Sequence, residues 1–426
     1  MFLNYDELMI YFQNLRQNDY QRDNFDHFLK KVKFKYTVPS IHIAGTNGKG
    51  TTGSVINNVY INQGYKVGYY RSPYFVYPSE TIEINHKGIS LDYFNDIINK
   101  YQKEIKKYNL SQFEVETFVA FNYFMDNECE IAIIECGMGG ETDATNIFTP
   151  ILSIITSVDL EHCYFLGNSI SEIAFNKADI IKEEVPTLVG ELPEDALNAI
   201  IEVAKDMDSN VFKADDFYNE KIIDKDHYEF DFKPFEKLQI NNLAKYVLKD
   251  AAISLSALHL LKDRFDISES SIRQGLLDFN LKGRMNVIFK NPLVIVDGAH
   301  NPHASHALRE SIEQFNTNEK PIHVVFAAFR DKNIDSMLAE LSFISKDITL
   351  TTFDNLRARK EEEYFLFLDE YTFKEDAIDL INEKINEYPD DIIIITGSLA
   401  FAGYIMNNLD KINFTNVNKS NIDIKE

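Results

Sequence analysis

The feature that most constrains this chain is a glycine-rich turn between an apolar run and a helix-like segment. The run at 37–44 predicts a buried strand, and residues 54–63 predict a helix. The turn between them consists of Gly45, Thr46, Asn47, Gly48, Lys49, Gly50, Thr51 and Thr52. Backbone N–H groups of such a turn face an anion, a lysine adds positive charge, and a hydroxyl can bind Mg²⁺. The turn therefore predicts a polyphosphate site rather than a plain strand–helix connection.

The spacing inside the turn differs from that of a Walker A loop. Only two residues separate Gly45 from Gly48, and Gly50 stands between Lys49 and Thr51. A Walker A loop has a longer gap between its glycines and runs directly from lysine to a hydroxyl residue. The turn therefore predicts a phosphate loop of a different kind.

Strand-like and helix-like segments alternate along the first part of the chain. Apolar runs that predict strands lie at 37–44, 66–70, 131–135 and 151–157. The alternation predicts a mostly parallel sheet covered by helices. The segment 190–240 is acidic and irregular, and we expect short antiparallel strands there, such as Tyr228–Phe232.

A second alternation begins near residue 289. Its predicted strands lie at 293–297, 322–327, 347–352 and 391–396. A chain of 426 residues is also too long for a typical single core. We therefore predict an α/β fold in two domains. We expect residues 1–289 to form a P-loop-type, mostly parallel sheet domain that carries the phosphate turn, and residues 290–426 to form a smaller C-terminal Rossmann-like α/β domain.

The composition limits the partners and the compartment. A formal net charge of −24 repels nucleic acid and anionic membranes, so we expect neither as a partner. No apolar run approaches the ~20 residues of a membrane span. The three cysteines, Cys129, Cys136 and Cys163, have no metal-ligand spacing and suit a reducing compartment. We therefore expect a cytoplasmic protein.

Several polar residues lie where predicted strands end or on a following helix: Thr51, Ser72, Glu135, His162 and Lys177. Ligands of open α/β sheets bind at the carboxyl ends of the strands. Glu135 is placed like a Walker B carboxylate, which would hold Mg²⁺ on a nucleotide. On position alone, Glu135 could also be a solvated turn acid, His162 a surface histidine and Lys177 a surface lysine.

Several motifs follow one another in a fixed order between residues 40 and 405. The phosphate turn with its inserted Gly50 comes first, followed by Glu135–Gly140 with Asp143–Asn146, and then by Lys177–Lys182. Shorter motifs of the series lie at 71–73, 113–117, 156–162, 166–167, 283–284, 297–302, 331–332 and 396–399. Together they resemble the folylpolyglutamate synthase/dihydrofolate synthase family, which is a branch of the Mur-ligase-like, ATP-dependent amide ligases.

The resemblance implies roles for individual residues. Lys49 and the turn would hold the phosphates of ATP, and Thr51, Ser72 and Glu135 would bind its Mg²⁺. Glu135 would share a second Mg²⁺ with His162, and the family's lysine that matches Lys177 is carbamylated, which would supply an oxygen ligand. Other residues that would reach the nucleotide are Asp250, Arg284, Asp297 and His300. The catalytic set implied is Lys49, Glu135, His162, Lys177 and His300.

The resemblance also implies a reaction. The γ-phosphoryl group of ATP would pass to a carboxylate, and the amine of L-glutamate would attack the resulting acyl phosphate. The acceptor would be the γ-carboxylate of a reduced folate, or dihydropteroate in a dihydrofolate synthase. The site would lie between two domains whose closure excludes water. Members of the family are usually monomers, which we expect here as well.

Departures from the family pattern concern the acceptor and the adenine more than the metal. Tyr74 replaces a histidine, Asp179 replaces a glycine, and Asp250 replaces an asparagine that helps to hold the nucleotide. Two other hypotheses therefore stay open. One is a Mur-like ligase with a different acceptor, and the other is a catalytically silent nucleotide-binding paralogue. The sequence argues against the silent paralogue, because such a copy is free to lose residues that are all intact here: Lys49, Thr51, Glu135, His162 and Lys177.

Overall fold

A computed structural model of the protein describes residues 2, 4–15, 22–75, 77–224 and 226–413. The chain forms two compact units. The first comprises Met1–Phe217, Phe232–Phe235 and Lys249–Asp278, and the second comprises Tyr218–Asp231, Glu236–Leu248 and Phe279–Glu426. Each unit has its own sheet, and the predicted α/β class is confirmed. Within the described ranges, no helix combines the length and the apolar character needed to cross a membrane.

The first unit is built on an eight-stranded sheet. Its strands are β1 (Ser40–Ala44), β2 (Val67–Tyr70), β3 (Ile82–Ile84), β4 (Lys87–Gly88), β5 (Ile131–Glu135), β6 (Leu152–Ile155), β7 (Thr187–Val189) and β8 (Val211–Lys213). Their order is β4-β3-β2-β5-β1-β6-β7-β8. Neighbours from β2 to β8 pair in parallel, and β3 pairs antiparallel with β2 and β4. The central strands are wholly buried, as continuous apolar runs of a parallel sheet require.

This strand order brings the predicted site segments together at the carboxyl ends of neighbouring strands. Strand β1 lies between β5 and β6, and β2 lies on the other side of β5. The register pairs Ile43 with Glu135 and Ala44 with Ile155. The phosphate turn, Glu135 and the residues after β6 therefore follow neighbouring strand ends, which is the usual ligand-binding edge of such a sheet.

Helices α1–α10 belong to the first part of the chain. They are α1 (Tyr5–Gln13), α2 (Arg22–Val32), α3 (Lys49–Gln63), α4 (Leu91–Lys107), α5 (Gln112–Asp126), α6 (Cys163–Leu166), α7 (Ile170–Ala178), α8 (Glu194–Asp206), α9 (Lys245–Leu260) and α10 (Glu269–Leu277). The prediction of irregular antiparallel structure was wrong for α8 and for β8, which pairs in parallel with β7. Helix α8 buries Ala196, Ile200 and Ala204 at helical spacing, and this stripe decides its structure despite the acidic surroundings.

The second unit contains a six-stranded sheet and much of a small antiparallel one. The small sheet consists of β9 (Tyr218–Ile222), β10 (Tyr228–Phe232) and β11 (Phe235–Ile240), in the order β11-β10-β9, which confirms the predicted antiparallel strand at 228–232. The larger sheet consists of β12 (Asn286–Lys290), β13 (Leu293–Val296), β14 (Ile322–Phe326), β15 (Asp347–Thr352), β16 (Thr372–Asp376) and β17 (Ile392–Thr396). Its order is β12-β13-β17-β14-β15-β16, and only β12 pairs antiparallel. Its helices are α11 (Pro302–Phe315), α12 (Ile334–Ser342), α13 (Ala377–Glu387) and α14 (Leu399–Met406).

Candidate active site

The phosphate turn has a backbone that only glycine can supply at two positions. A Cβ atom on Gly45 would come within 2.0 Å of Thr156 Oγ1. Gly48 has a φ of +86°, and a Cβ there would come within 2.3 Å of Asp250 Oδ1. Gly48 is the N-cap of α3 and carries no capping side chain, so the first N–H groups of the helix are left for an anion. The turn therefore has the construction of an anion cradle.

Contacts with the segment after β6 hold the turn in shape. The Asn47 N–H donates to Ser157 Oγ at 2.9 Å, and Thr156 Oγ1 donates to the Asn47 carbonyl at 2.6 Å. The Lys49 ammonium donates to the Gly45 carbonyl at 2.7 Å, so its charge lies over the turn itself. The Lys49 ammonium and the N-terminus of α3 therefore both favour an anion at the turn.

Thr51 is the residue best suited to a cation at this site. Its side chain is wholly buried, and its Oγ1 has no hydrogen-bond partner. A buried hydroxyl without a partner costs free energy unless a ligand satisfies it. Such an oxygen, next to a phosphate cradle, fits the hydroxyl ligand of a nucleotide-bound Mg²⁺.

Glu135 is a buried carboxylate that a tyrosine holds in place. The Tyr69 hydroxyl donates to Glu135 Oε1 and also lies 3.1 Å from the Gly50 carbonyl. Burial, and then the Glu135 charge, raise the pKa of Tyr69 well above its usual value, so this hydroxyl stays a donor. The sequence analysis did not single out Tyr69. The feature that could have identified Tyr69 is its hydroxyl group, which lies within a wholly buried strand two positions before Arg71.

Lys177 is buried on α7, with only 2% of its surface exposed. Burial, followed by the nearby Lys49 charge, lowers the pKa of Lys177 to about 7. A large fraction of this amine is therefore neutral at physiological pH, whereas a surface lysine would be charged. The interpretation of Lys177 as a surface lysine is wrong.

His162 and Ser72 are less enclosed than the residues above. His162 has a left-handed backbone with a φ of +52° and a side chain that is 45% exposed, and it lies 4.0 Å from Glu161 Oε1. Ser72 is half-buried. In the described part of the chain, no three His, Cys, Asp or Glu side chains come together as a metal-binding group. A second metal shared by Glu135 and His162 therefore stays a prediction.

The remaining predicted residues fall in both units. Asp250 lies in the first unit against Gly48. Asp297 directly follows β13 in the second unit, where it accepts from Tyr246 Oη at 2.6 Å and from the Met285 N–H at 2.9 Å. Arg284 donates to the Gly283 carbonyl, and His300 Nδ1 lies 2.9 Å from the Gly298 carbonyl. Their joint action on one nucleotide stays a prediction.

A second buried carboxyl group, which the sequence analysis placed only within a helix motif, lies beside the loop after β2. Glu116 on α5 accepts from Gln112 Nε2 at 2.8 Å and interacts with Tyr74, the residue that replaces the family's histidine. Burial raises the pKa of Glu116 from 4.5 to about 7. Between pH 4.5 and about 7, the folded protein keeps a proton on Glu116 that the unfolded chain releases. The free energy of unfolding therefore falls as the pH rises through this range.

We expect Glu116→Gln to stabilise the protein more at pH 8 than at pH 5. The difference between the ordinary pKa of Glu116 and its raised value corresponds to about 3 kcal/mol. The gain in the free energy of unfolding should be of this order. Urea unfolding of wild type and variant at both pH values measures it. Glu128→Gln, at an exposed position beyond α5, is the control. Parallel pH profiles for wild type and Glu116→Gln would contradict the assignment.

Family models match both halves of the chain. The Mur ligase middle domain matches residues 43–258, and the Mur ligase, glutamate ligase domain matches residues 283–399. The Bacillus subtilis dihydrofolate synthase/folylpolyglutamate synthase is 31% identical over 401 residues, covering 87% of this chain and 90% of the relative. The Lacticaseibacillus casei folylpolyglutamate synthase is 29% identical over 386 residues, covering 87% and 89%.

Solved structures agree with these relatives. The Escherichia coli FolC chain in complex with ADP superposes with a TM-score of 0.85 at 26% identity, covering 95% of this chain and 97% of that chain. The Mycobacterium tuberculosis folylpolyglutamate synthase, complexed with ADP and AMPPCP, has a TM-score of 0.86 at 23% identity and shares the fold. The motifs, the fold and these matches agree, and the chain belongs to the folylpolyglutamate synthase/dihydrofolate synthase family of Mur-type ATP-dependent amide ligases.

Proposed function

We propose that this protein uses ATP to join L-glutamate to the γ-carboxylate of a reduced folate, and that it also acts as a dihydrofolate synthase on dihydropteroate. The single observation that carries the proposal is the phosphate cradle beside the buried Glu135, in a chain of this family. A carboxylate is a poor acyl donor, so ligation needs the phosphoryl group that such a cradle presents.

The reaction has two bond-making steps. An oxygen of the acceptor carboxylate attacks the γ-phosphorus, the bond to ADP breaks, and an acyl phosphate forms. The glutamate nitrogen then attacks the acyl carbon, loses a proton, and displaces phosphate. Lys49 and the first N–H groups of α3 offset the phosphate charge in both steps.

Thr51 and Glu135 are the residues that would hold the Mg²⁺ of ATP, since one offers an unpartnered buried hydroxyl and the other a buried carboxylate. We propose Ser72 as a further ligand, and His162 with a carbamylated Lys177 for a second Mg²⁺. When bound, these ions would screen the charge of the phosphate oxygens. Tyr69 keeps the Glu135 carboxylate oriented. The low pKa of Lys177 supports carbamylation, because only the neutral amine can attack CO₂, after which it loses a proton.

We propose that the work is divided between an ATP-binding domain, residues 1–289, and a ligase domain, residues 290–426. Support comes from the second family model, which begins at residue 283, and from the second unit, whose last segment begins at Phe279. Asp250, Arg284, Asp297 and His300 are the proposed nucleotide contacts. We further propose a monomer, and a cytoplasmic location that suits the three free cysteines.

The acceptor panel tests this proposal. Purified protein with Mg²⁺ and ATP is given L-glutamate and either tetrahydrofolate, dihydropteroate or no acceptor, and released phosphate is measured. We expect release with both acceptors and none when glutamate or the acceptor is omitted. Release with dihydropteroate alone would restrict the protein to dihydrofolate synthase. No release with any pteridine would favour a Mur-like ligase with another acceptor.

A further inference from the structure

The first part of the connection between β5 and β6, residues 136–146, directly follows the strand that carries Glu135, and we call this segment the β5–β6 loop. The carbonyl groups of Asp143 and Asn146 point to the guanidinium of Arg22, which begins α2. Arg22 Nη1 donates to the Asp143 carbonyl at 2.6 Å, and Nη2 donates to the Asn146 carbonyl at 2.7 Å. Arg22 Nε donates to Asp26 at 2.9 Å, so Nε and both Nη atoms are engaged.

The loop that Arg22 holds is itself bonded to the lysine helix. The Gly140 N–H donates to Asn176 Oδ1, and the Glu141 N–H donates to the Asn176 carbonyl, both at 3.1 Å. A Cβ on Gly140 would come within 2.8 Å of the Lys177 carbonyl, so the loop packs closely on the backbone of α7. The position of Lys177 therefore depends on the shape of the loop.

The same loop is fixed internally through Asp143. Its carboxylate accepts from the Met138 N–H at 2.8 Å and from the Thr145 N–H at 2.9 Å. Asn146 Nδ2 adds a bond to the Gly140 carbonyl at 3.0 Å. Arg22 donates hydrogen bonds to the carbonyl groups of Asp143 and Asn146, the two residues that make these internal bonds.

We propose that Arg22 is a positioning residue of the active site, which fixes the β5–β6 loop and through it the buried Lys177. Arg22 lies outside the matched family ranges, 43–258 and 283–399. A guanidinium suits this role, because its planar fork can donate to two carbonyl groups at once. The effect on turnover rests on the proposed function, whereas the effect on the loop does not.

Hydrogen exchange of backbone amides tests the loop directly. In Arg22→Ala we expect the amides of residues 136–146 to exchange about tenfold faster, while those of residues 45–52 stay unchanged. Arg22→Lys should be intermediate, because an ammonium group lacks the fork. Lys30→Ala, which removes the same charge from an exposed position of α2, should behave as wild type. Unchanged exchange in residues 136–146 for both Arg22 variants, or an equal rise in residues 45–52, would overturn the proposal.

Steady-state kinetics separates positioning from general damage. We expect kcat of Arg22→Ala to fall about tenfold with the KM for ATP unchanged, and Arg22→Lys to recover part of the loss. A matching rise in the KM for ATP would contradict a role confined to the loop. If wild type has no turnover with any pteridine acceptor, the proposed function fails, and the exchange result still decides the role of Arg22.

Discussion

Glu135→Gln is expected to lower kcat for phosphate release by about two to three orders of magnitude without unfolding the protein. Glutamine has the same shape and can still accept the hydrogen bond from Tyr69. It lacks the negative charge that we propose for holding Mg²⁺ on ATP. The loss should therefore appear in the chemical step and not in the fold.

The same substitution should leave the midpoint of thermal unfolding unchanged or raise it. Burial of a charged carboxylate costs more free energy than burial of a neutral amide of the same shape, and the substitution removes that difference. Glu130→Gln is the matched control, because Glu130 directly precedes the same strand, is exposed, and accepts a hydrogen bond from the Lys66 N–H. A kcat for Glu135→Gln within a few-fold of wild type would refute the metal role.

Lys177→Ala is expected to lower kcat by about a hundredfold, and millimolar acetate should restore part of it. The proposed carbamate supplies a carboxylate-like oxygen, and a small carboxylic acid can enter the space that the lysine leaves. The control is Lys182→Ala, which removes a nearby positive charge whose Nζ donates to the Asp179 carbonyl. Acetate should have no effect on that variant or on wild type.

Bicarbonate should increase turnover by carbamylating Lys177, and this increase should be larger at higher pH. The amine has a pKa lowered to about 7, and only its neutral form reacts with CO₂. Activation should therefore increase as the pH rises from 6 to 8. Intact protein at high bicarbonate that carries a bare amine at Lys177, or a Lys177→Ala variant insensitive to acetate, would remove the carbamate from the account.

Much of the site could be predicted because its parts are local in sequence. The turn requires glycine at Gly48, where φ is positive, and at Gly45, where another side chain approaches closely, so both positions are visible in the sequence. The lysine that lies over the turn, Lys49, is the residue after Gly48. Parallel strands end at one edge, so the positions of Glu135 and the residues after β6 followed from the alternation of elements.

The contacts that the sequence analysis missed join residues far apart in the chain. Tyr69 and Glu135 are 66 residues apart, and Arg22 and Asp143 are 121 residues apart, so no local pattern marks either pair. Helix α8 was missed for another reason. Its buried alanines are weakly apolar and lie among acidic residues, which made the helical stripe hard to distinguish.

The fate of a single oxygen atom tests the central claim most directly. An acceptor whose carboxylate carries a heavy isotope at both oxygens is turned over with ATP and L-glutamate, and the released phosphate is analysed by mass spectrometry. If an acyl phosphate forms, each phosphate carries one labelled oxygen from the carboxylate, in equal amount to the glutamylated product. Product formation with unlabelled phosphate would contradict the account.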